Sequence, residues 1–229
     1  MEISTQDGER SMAEIMKSGT LEKLAQAVLE GAAEDAKRLT EKALSESLPP
    51  NTVLVEGLSA GMTVVGGLFR RNEMFIPEVL LSARAMRFGM EVLRPLLAET
   101  GAKPVGKVIL GTVAGDLHDI GKDIVHMMLE GAGFQVFNLG INVEAHKFIE
   151  AFQEHKAPVI ALSALLSTTM PQQKAVIEAF EKAGLRGEVK ILIGGAPVTQ
   201  EYADKIGADG FAPDAASAVL KAKELLGIS

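Results

Sequence analysis

An aspartate and a histidine stand two residues apart in the segment GDLHDIGKDIV, residues 115–125. Asp116 and His118 lie on a predicted turn between two glycines, directly before an apolar-periodic run that predicts a helix. Three interpretations compete: a solvated surface histidine, an acid–base pair, or a metal ligand with its supporting carboxylate. Metal-binding histidines commonly have such a carboxylate on the second ring nitrogen, where it fixes the tautomer and raises the basicity of the ligand.

The rest of the sequence narrows the chemistry that this pair could perform. A Ser-His-Asp hydrolase needs a nucleophile on a strained turn, and the sequence contains no G-x-S-x-G. A metal held by protein alone usually has three or four ligands. Only one nitrogen donor is recognisable, because His126, His146 and His155 fall in predicted helices without a partner pattern. A single histidine ligand suits a metal whose other positions belong to a macrocycle, which indicates a haem or a corrin.

Composition excludes several classes of function. The net charge of -7 and the scarcity of aromatic residues argue against a nucleic-acid partner, which would need clustered cations and stacking platforms. The absence of cysteine removes disulfides, thiolate zinc sites and iron–sulfur clusters. The N-terminal segment lacks the pattern of a secretory signal, and no uninterrupted apolar run approaches the ~20 residues of a membrane span. We therefore expect a cytoplasmic protein without a membrane segment.

The elements that position the pair follow from two different periodicities. Residues 1–98 are helical in pattern, with apolar residues every three or four positions, and four helices joined by short loops predict a small bundle. Residues 99–106 form a predicted linker. Residues 107–229 alternate five short apolar runs with five helical stretches, which predicts an α/β domain with a parallel, doubly wound sheet, most simply in the flavodoxin-like order.

Small and polar residues follow three of the predicted strands. In open α/β sheets, ligands bind at the carboxyl ends of the strands. The residues concerned are Asp116, His118 and Gly121 after the first strand; Ser163, Leu165, Ser167, Thr168 and Thr169 at the end of the third; and Gly194 and Gly195 at the end of the fourth. The predicted topology brings them to one edge of the sheet, where small residues permit a long, narrow ligand to enter.

The segments GDLHDIGK, SALLSTT and GG together resemble the D-x-H-x-x-G … S-x-L … GG signature of cobalamin-binding domains. The upstream segment GMTVVGGLFRRNEMFIPEVLLSARAM, residues 61–86, resembles the helical cap of methionine synthase and of the stand-alone corrinoid proteins of methanol, methylamine and methoxy-compound methyltransferases. The resemblance spans residues 12–225. It implies a helical bundle cap followed by a Rossmann-like cobalamin-binding domain.

The resemblance also implies a role for individual residues. His118 would displace the benzimidazole of the cofactor and ligate cobalt, Asp116 would accept a hydrogen bond from its other ring nitrogen, and Thr169 would continue this relay. The remaining motif residues would line the corrin and its displaced nucleotide tail: Gly115, Leu117, Asp119, Ile120, Gly121, Ser163, Leu165, Ser167, Thr168, Gly194 and Gly195. Phe69 and Ile76 match apolar residues that shield the upper face of the corrin.

The function implied by this resemblance is that of a methyl carrier rather than of an enzyme in its own right. A substrate-specific methyltransferase would place a methyl group on Co(I), and a second methyltransferase would remove it from methyl-Co(III) to tetrahydrofolate or a thiol carrier. A reductive activase is the third implied partner. Two alternatives stay open, namely the cobalamin-binding subunit of an adenosylcobalamin-dependent mutase and a cobalamin-sensing regulator.

Overall fold

The structure, a computed structural model, describes residues 19–100 and 104–228. These residues fall into two compact units, one on each side of residues 101–103. The division lies within the predicted linker at 99–106, and the last helix of the first unit continues to Thr100. The domain boundaries at 98 and 107 stay predictions.

The first unit is helical in its described part, as the apolar periodicity predicts. Its helices are α1 (Gly19–Leu29), α2 (Ala33–Ser45), α3 (Pro50–Thr52, Val53–Ser59 and Ala60–Arg70 in succession) and α4 (Ile76–Thr100). The middle part of α3 is a π-helix, which the sequence does not predict. Glycines allow the helices to approach closely, since a Cβ on Gly61 would lie 2.6 Å from the carbonyl oxygen of Ala25 in α1.

Helix α3 is apolar as well as long. Over Pro50–Arg70 its mean hydropathy reaches 1.5 in an 18-residue window, so length and composition alone would allow it to cross a membrane. Core helices pass the same test, and this one buries Val53, Leu58, Met62 and Val65 within the helical unit. One such helix is a weak indication of a membrane segment.

The second unit alternates strands and helices. In chain order it contains β1 (Lys107–Thr112), α5 (Ile120–Gly131), β2 (Gln135–Asn138), α6 (Ala145–His155), β3 (Val159–Ser163), α7 (Met170–Lys182), β4 (Lys190–Gly194), α8 (Gln200–Ile206), β5 (Gly210–Ala212) and α9 (Ala215–Leu225). The five strands are parallel and lie in the order β2-β1-β3-β4-β5. The predicted α/β fold class and strand order are therefore confirmed.

Both faces of the sheet are covered. Alternate strand residues point to opposite faces, so Val108 and Leu110 pack with Leu129 of α5 and with alanines of α9. Ile109 and its counterparts in β3 and β4 pack on the other face against the phenylalanines of α6 and α7. This two-sided burial explains why the strands are nearly continuous apolar runs in the sequence.

The register aligns the ends of the strands. Thr112 of β1 pairs with Ser163 of β3, Ser163 with Gly194 of β4, and Gly194 with Ala212 of β5. These four residues form one row across the sheet. The loops that follow them therefore leave from one edge, as the topology predicts.

Candidate functional site

Asp116 is the centre of the site. It lies in the loop between β1 and α5, and its side chain is fully buried. Oδ1 accepts hydrogen bonds from the Nδ1 of His118 (2.7 Å) and from the backbone N–H of His118 (3.1 Å). Oδ2 accepts from the Thr169 hydroxyl (2.6 Å) and from the backbone N–H of Leu165 (2.7 Å). Residues from the loops after β1 and β3 thus converge on one carboxylate.

Two opposing effects set the pKa of Asp116. Burial is the largest single effect and raises the pKa, because it penalises the charged form. The hydrogen bonds from Thr169, His118 and Leu165 together outweigh it and hold the pKa well below the usual range of an aspartate. The carboxyl group is therefore ionised at neutral pH and acts only as an acceptor.

His118 links this buried carboxylate to the surface. Because the carboxylate can only accept, the ring Nδ1 must carry the proton in the 2.7 Å contact. In the neutral form of the ring, the lone pair is then on Nε2. The histidine side chain is 49% exposed, and Nε2 has no hydrogen-bond partner in the part of the chain that the structure describes. The imidazole is thus oriented to act as a ligand through Nε2.

The Thr169 hydroxyl donates a hydrogen bond to Asp116 and does not cap its own helix. It is the N-cap residue of α7, yet its side chain makes no capping hydrogen bond. By contrast, the N-cap residues of α8 and α9, Thr199 and Asp214, both accept a hydrogen bond from the first turn. A lost cap costs about 1 kcal/mol, so the contact with Asp116 offsets a local loss of helix stability.

Neighbouring loops hold the backbone of the Asp116 loop. The Thr112 hydroxyl donates to the carbonyl oxygen of His118 (2.9 Å). Asn142, from the loop after β2, accepts from the N–H of Gly115 (2.7 Å) through Oδ1, and its own N–H donates to the carbonyl oxygen of Asp116 (3.0 Å). Gly115 has φ +78°, a conformation that favours glycine. Together with Leu165 and Thr169 after β3, the ends of three strands therefore fix the Asp116 loop and the direction of the His118 ring.

Apolar side chains around His118 are exposed to a degree unusual for leucine and isoleucine. Leu117 and Ile120 are 67% and 66% exposed, and Leu165 and Leu166 are also exposed. Clustered exposed apolar groups mark a surface that a ligand or partner covers. This setting fits a cofactor with a broad apolar face.

The glycines of the site differ in what they do. A Cβ on Gly195 would overlap the carbonyl oxygen of Ala164, and its φ of +129° is strained for other residues. A Cβ on Gly194 would lie 3.1 Å from the carbonyl oxygen of Ala212. A Cβ on Gly121 would meet nothing within 4 Å. Gly194 and Gly195 thus pack the strand exits closely, whereas Gly121 leaves space at the start of α5.

The other predicted site residues occupy varied positions. Ser163 is half-buried at the end of β3, and Asp119, Ser167 and Thr168 are exposed in the loops that precede α5 and α7. In the helical unit, Ile76 is exposed at the start of α4, while Phe69 is half-buried in α3. Their predicted cofactor contacts, like the other site assignments, stay predictions.

Sequence reasoning missed several residues that build the site. Asn142 and Thr112 hold the loop of Asp116, and the N–H of Leu165 takes one oxygen of its carboxylate. Gln173, fully buried in α7, bonds to the carbonyl oxygens of Leu162 and Gly194. Of these residues, the sequence predicted only Leu165, through the S-x-L motif. Its predicted role belonged to the side chain and not to the backbone N–H.

The site offers a metal ion one ligand, the imidazole of His118. Within residues 19–100 and 104–228, no group of three or more His, Cys, Asp or Glu side chains could hold a metal ion. A corrin fits this site, because it brings its own equatorial nitrogens and needs one axial ligand.

Comparison with known proteins identifies the class. Two family models, both described as a B12 binding domain, match residues 106–220 and 20–94. Dimethylamine corrinoid protein 3 of Methanosarcina acetivorans is 46% identical over 215 residues, which make up 94% of this chain and 100% of that protein. The chain therefore belongs to the B12-binding family of corrinoid proteins, and its cofactor is cobalamin, which contains cobalt.

Two solved structures support the same assignment. A cobalamin-binding protein from Desulfitobacterium hafniense DCB-2 is 30% identical with a TM-score of 0.75, over 90% of this chain and 98% of that one. The methanol:cobalamin methyltransferase complex MtaBC from Methanosarcina barkeri contains a chain that is 28% identical with a TM-score of 0.82, over 100% of this chain and 87% of that one. The predicted family resemblance is confirmed.

Proposed function

We propose that this chain is the methyl carrier of a methyltransferase system, with His118 as the lower ligand of the corrinoid. In this role it receives a methyl group from a substrate-specific methyltransferase and delivers it to a second methyltransferase. The observation that carries the proposal is the hydrogen bond between the Nδ1 of His118 and buried Asp116, which leaves Nε2 directed outward. When bound, the corrinoid supplies a cobalt ion that can take up and release a methyl group.

Each residue of the relay has a separate task. Asp116 fixes the His118 tautomer and raises the basicity of Nε2. The Thr169 hydroxyl and the Leu165 N–H hold the second oxygen of the carboxylate, so that the first stays directed at the ring. Leu117, Ile120 and the leucines at 165 and 166 would cover the apolar edge of the corrin and exclude water. The space beside Gly121 and the strand exits at Gly194 and Gly195 would receive the nucleotide tail.

We further propose a methylamine as the methyl donor. The similarity to the dimethylamine corrinoid protein covers nearly the whole chain at 46% identity, whereas the chain of the methanol complex is 28% identical. The donor is selected by the methyltransferase that docks on the carrier. Tetrahydrofolate or a thiol is the proposed final acceptor, and a reductive activase would restore the reduced cofactor.

The experiment is a reconstituted transfer assay. The full chain is loaded with hydroxocobalamin, reduced, and mixed in separate reactions with dimethylamine-, trimethylamine-, monomethylamine- or methanol-specific methyltransferases and their substrates. We expect methylation of the cofactor, followed by its absorbance, with a methylamine enzyme and not with the methanol enzyme. Reactions without a methyltransferase are the control.

Two outcomes would contradict this function. No methylation with any of the four enzymes would exclude the proposed donors. Support of an adenosylcobalamin-dependent rearrangement by the chain, in the presence of a mutase catalytic subunit, would favour the mutase alternative instead.

A further inference from the structure

The first turn of α7 is tied to the sheet by one buried side chain. Gln173 is fully buried, and its Nε2 donates to the carbonyl oxygens of Leu162 in β3 (3.1 Å) and of Gly194 in β4 (3.0 Å). From the other side, the Tyr202 hydroxyl of α8 donates to the carbonyl oxygen of Met170 (2.7 Å). The start of α7 is therefore fixed against two strands and a neighbouring helix.

The orientation of the Gln173 amide follows from its partners. Both carbonyl oxygens can only accept, so the amide nitrogen must face them and the oxygen must face away. That oxygen, Oε1, is buried and has no hydrogen-bond partner among the described residues. A buried acceptor without a partner destabilises a fold.

Stability alone therefore accounts poorly for an amide at this position. The carbonyl oxygen of Gly194 already accepts a hydrogen bond from the N–H of Ala164 (3.2 Å), so it does not depend on Gln173. A methionine has similar length and would leave no stranded oxygen. Only the amide can donate hydrogen bonds from α7 to the ends of two strands.

That connection bears on the relay through helix geometry. Thr169 lies four residues before Gln173, on the same side of the first turn of α7. Its hydroxyl must stay 2.6 Å from Asp116 Oδ2, while the turn before the helix presents the N–H of Leu165 to the same oxygen. A small shift of this turn would release both contacts, because hydrogen bonds weaken steeply with distance and angle.

We propose that Gln173 is a positioning residue for His118: it holds the start of α7 so that Thr169 and Leu165 keep the Asp116 carboxylate directed at the imidazole. The inference rests on the proposed function, since it concerns ligation by His118. The hydrogen bonds of Gln173 go to Leu162 and Gly194 and not to Asp116 or His118, so it acts through the first turn of α7.

The test identifies which nitrogen atom ligates the cobalt. The protein is labelled with ¹⁵N, loaded with unlabelled cobalamin, and reduced to the Co(II) form. In electron paramagnetic resonance, a protein histidine on cobalt splits the signal into doublets, and an unlabelled benzimidazole splits it into triplets. We expect doublets for the wild type. For Gln173→Met we expect about a tenfold fall in the ratio of the doublet form to all other forms, which show triplets or no nitrogen splitting; this is the effect of losing roughly one hydrogen bond.

Matched variants distinguish a loss of positioning of the Asp116 carboxylate from a general loss of structure. Gln172 is exposed in the same turn, so Gln172→Met should leave the ratio unchanged. Thr169→Val should lower the ratio. Adding Gln173→Met to it should lower the ratio by less than Gln173→Met does in the wild type, because the Thr169 contact is already lost and only the Leu165 contact remains to be disturbed. Should Gln173→Met fail to fold, Gln173→Asn replaces it, since its shorter amide cannot reach both carbonyl oxygens.

The outcomes are distinct. A wild-type ratio in Gln173→Met, or in Gln173→Asn where it replaces it, overturns the inference. So does a full additive effect of Gln173→Met on Thr169→Val, which would indicate action by another route. Triplets, or a signal without nitrogen splitting, in the wild type overturn the proposed ligation by His118 itself, and with it the inference.

Discussion

Asp116 owes its ionised state to hydrogen bonds rather than to water. Its oxygens accept two bonds each, from His118 twice and from Thr169 and Leu165. A carboxylate with several N–H and O–H donors can have a pKa far below that of a free aspartate, even when it is buried. The same bonds fix the rotamer of the carboxylate, and so the direction of His118.

Replacement of this carboxylate should cost stability as well as ligation. In Asp116→Asn, an NH₂ group replaces one oxygen and faces donors, so buried donors lose their partners. We expect the free energy of unfolding of the cofactor-free protein to fall by about 3 kcal/mol, measured by urea denaturation at neutral pH. Asp119→Asn, an exposed position in the same loop, should change it by less than about 0.5 kcal/mol. Equal effects of the two variants would contradict the geometry described for Asp116.

The stabilisation by Asp116 should also depend on pH. The pKa of Asp116 is lower in the folded than in the unfolded state, so its contribution is present above the unfolded pKa of about 4 and is lost as the pH falls below it. The difference in unfolding free energy between the wild type and Asp116→Asn should therefore shrink in urea titrations from about pH 5 to about pH 3. A difference that stays constant over this range would show that the carboxylate is not preferentially ionised in the folded state.

At the scale of elements, the exit of β4 depends on a glycine. Gly195→Ala combines a φ of +129° with overlap of the new Cβ and the Ala164 carbonyl oxygen. We expect a loss of about 2 kcal/mol or more in the free energy of unfolding. Gly187→Ala is the control, because its Cβ would meet nothing within 4 Å. Unchanged denaturation of Gly195→Ala would contradict the close packing of β4 on the loop after β3.

Gly121, at the start of α5, allows an effect on stability to be distinguished from an effect on cobalamin binding. A Cβ on Gly121 would enter open space, so Gly121→Ala should stabilise the cofactor-free protein by about 0.5 kcal/mol through its better helix propensity. The same Cβ should weaken cobalamin binding, measured by equilibrium dialysis, if the proposed tail site lies there. A stabilised variant with unchanged affinity would place the tail elsewhere.

The sequence predicted elements better than contacts. Short apolar runs and an apolar period of about four residues are local properties, and they indicated the strands and the helices. The strand order followed from the handedness of crossovers in parallel sheets. The π-helical part of α3 was not predicted, because apolar spacing does not report which carbonyl oxygen each N–H reaches. Asp116 and His118 were found because they are neighbours in sequence. Thr169 was found because it follows a predicted strand, and its role came from the family resemblance. The roles of Asn142 and Gln173 depend on their tertiary positions, which a local sequence pattern does not indicate.

At the scale of the whole molecule, the relay and its supports belong to the second unit. Asp116, His118, Leu165 and Thr169 all lie in it, as do both buried clusters of the sheet. We expect residues 104–229 expressed alone to unfold cooperatively in urea and to bind cobalamin in dialysis. An unfolded fragment, or a folded one that does not bind, would show that residues of the helical unit are required for either property.

We propose above all that the imidazole at position 118 ligates the cobalt of the cofactor. A crystal structure of the full chain grown with cobalamin tests it most directly. We expect His118 Nε2 bonded to cobalt, the benzimidazole displaced, and the hydrogen bonds from His118 and Thr169 to Asp116 retained. A structure in which the benzimidazole stays on cobalt and His118 faces solvent would contradict it.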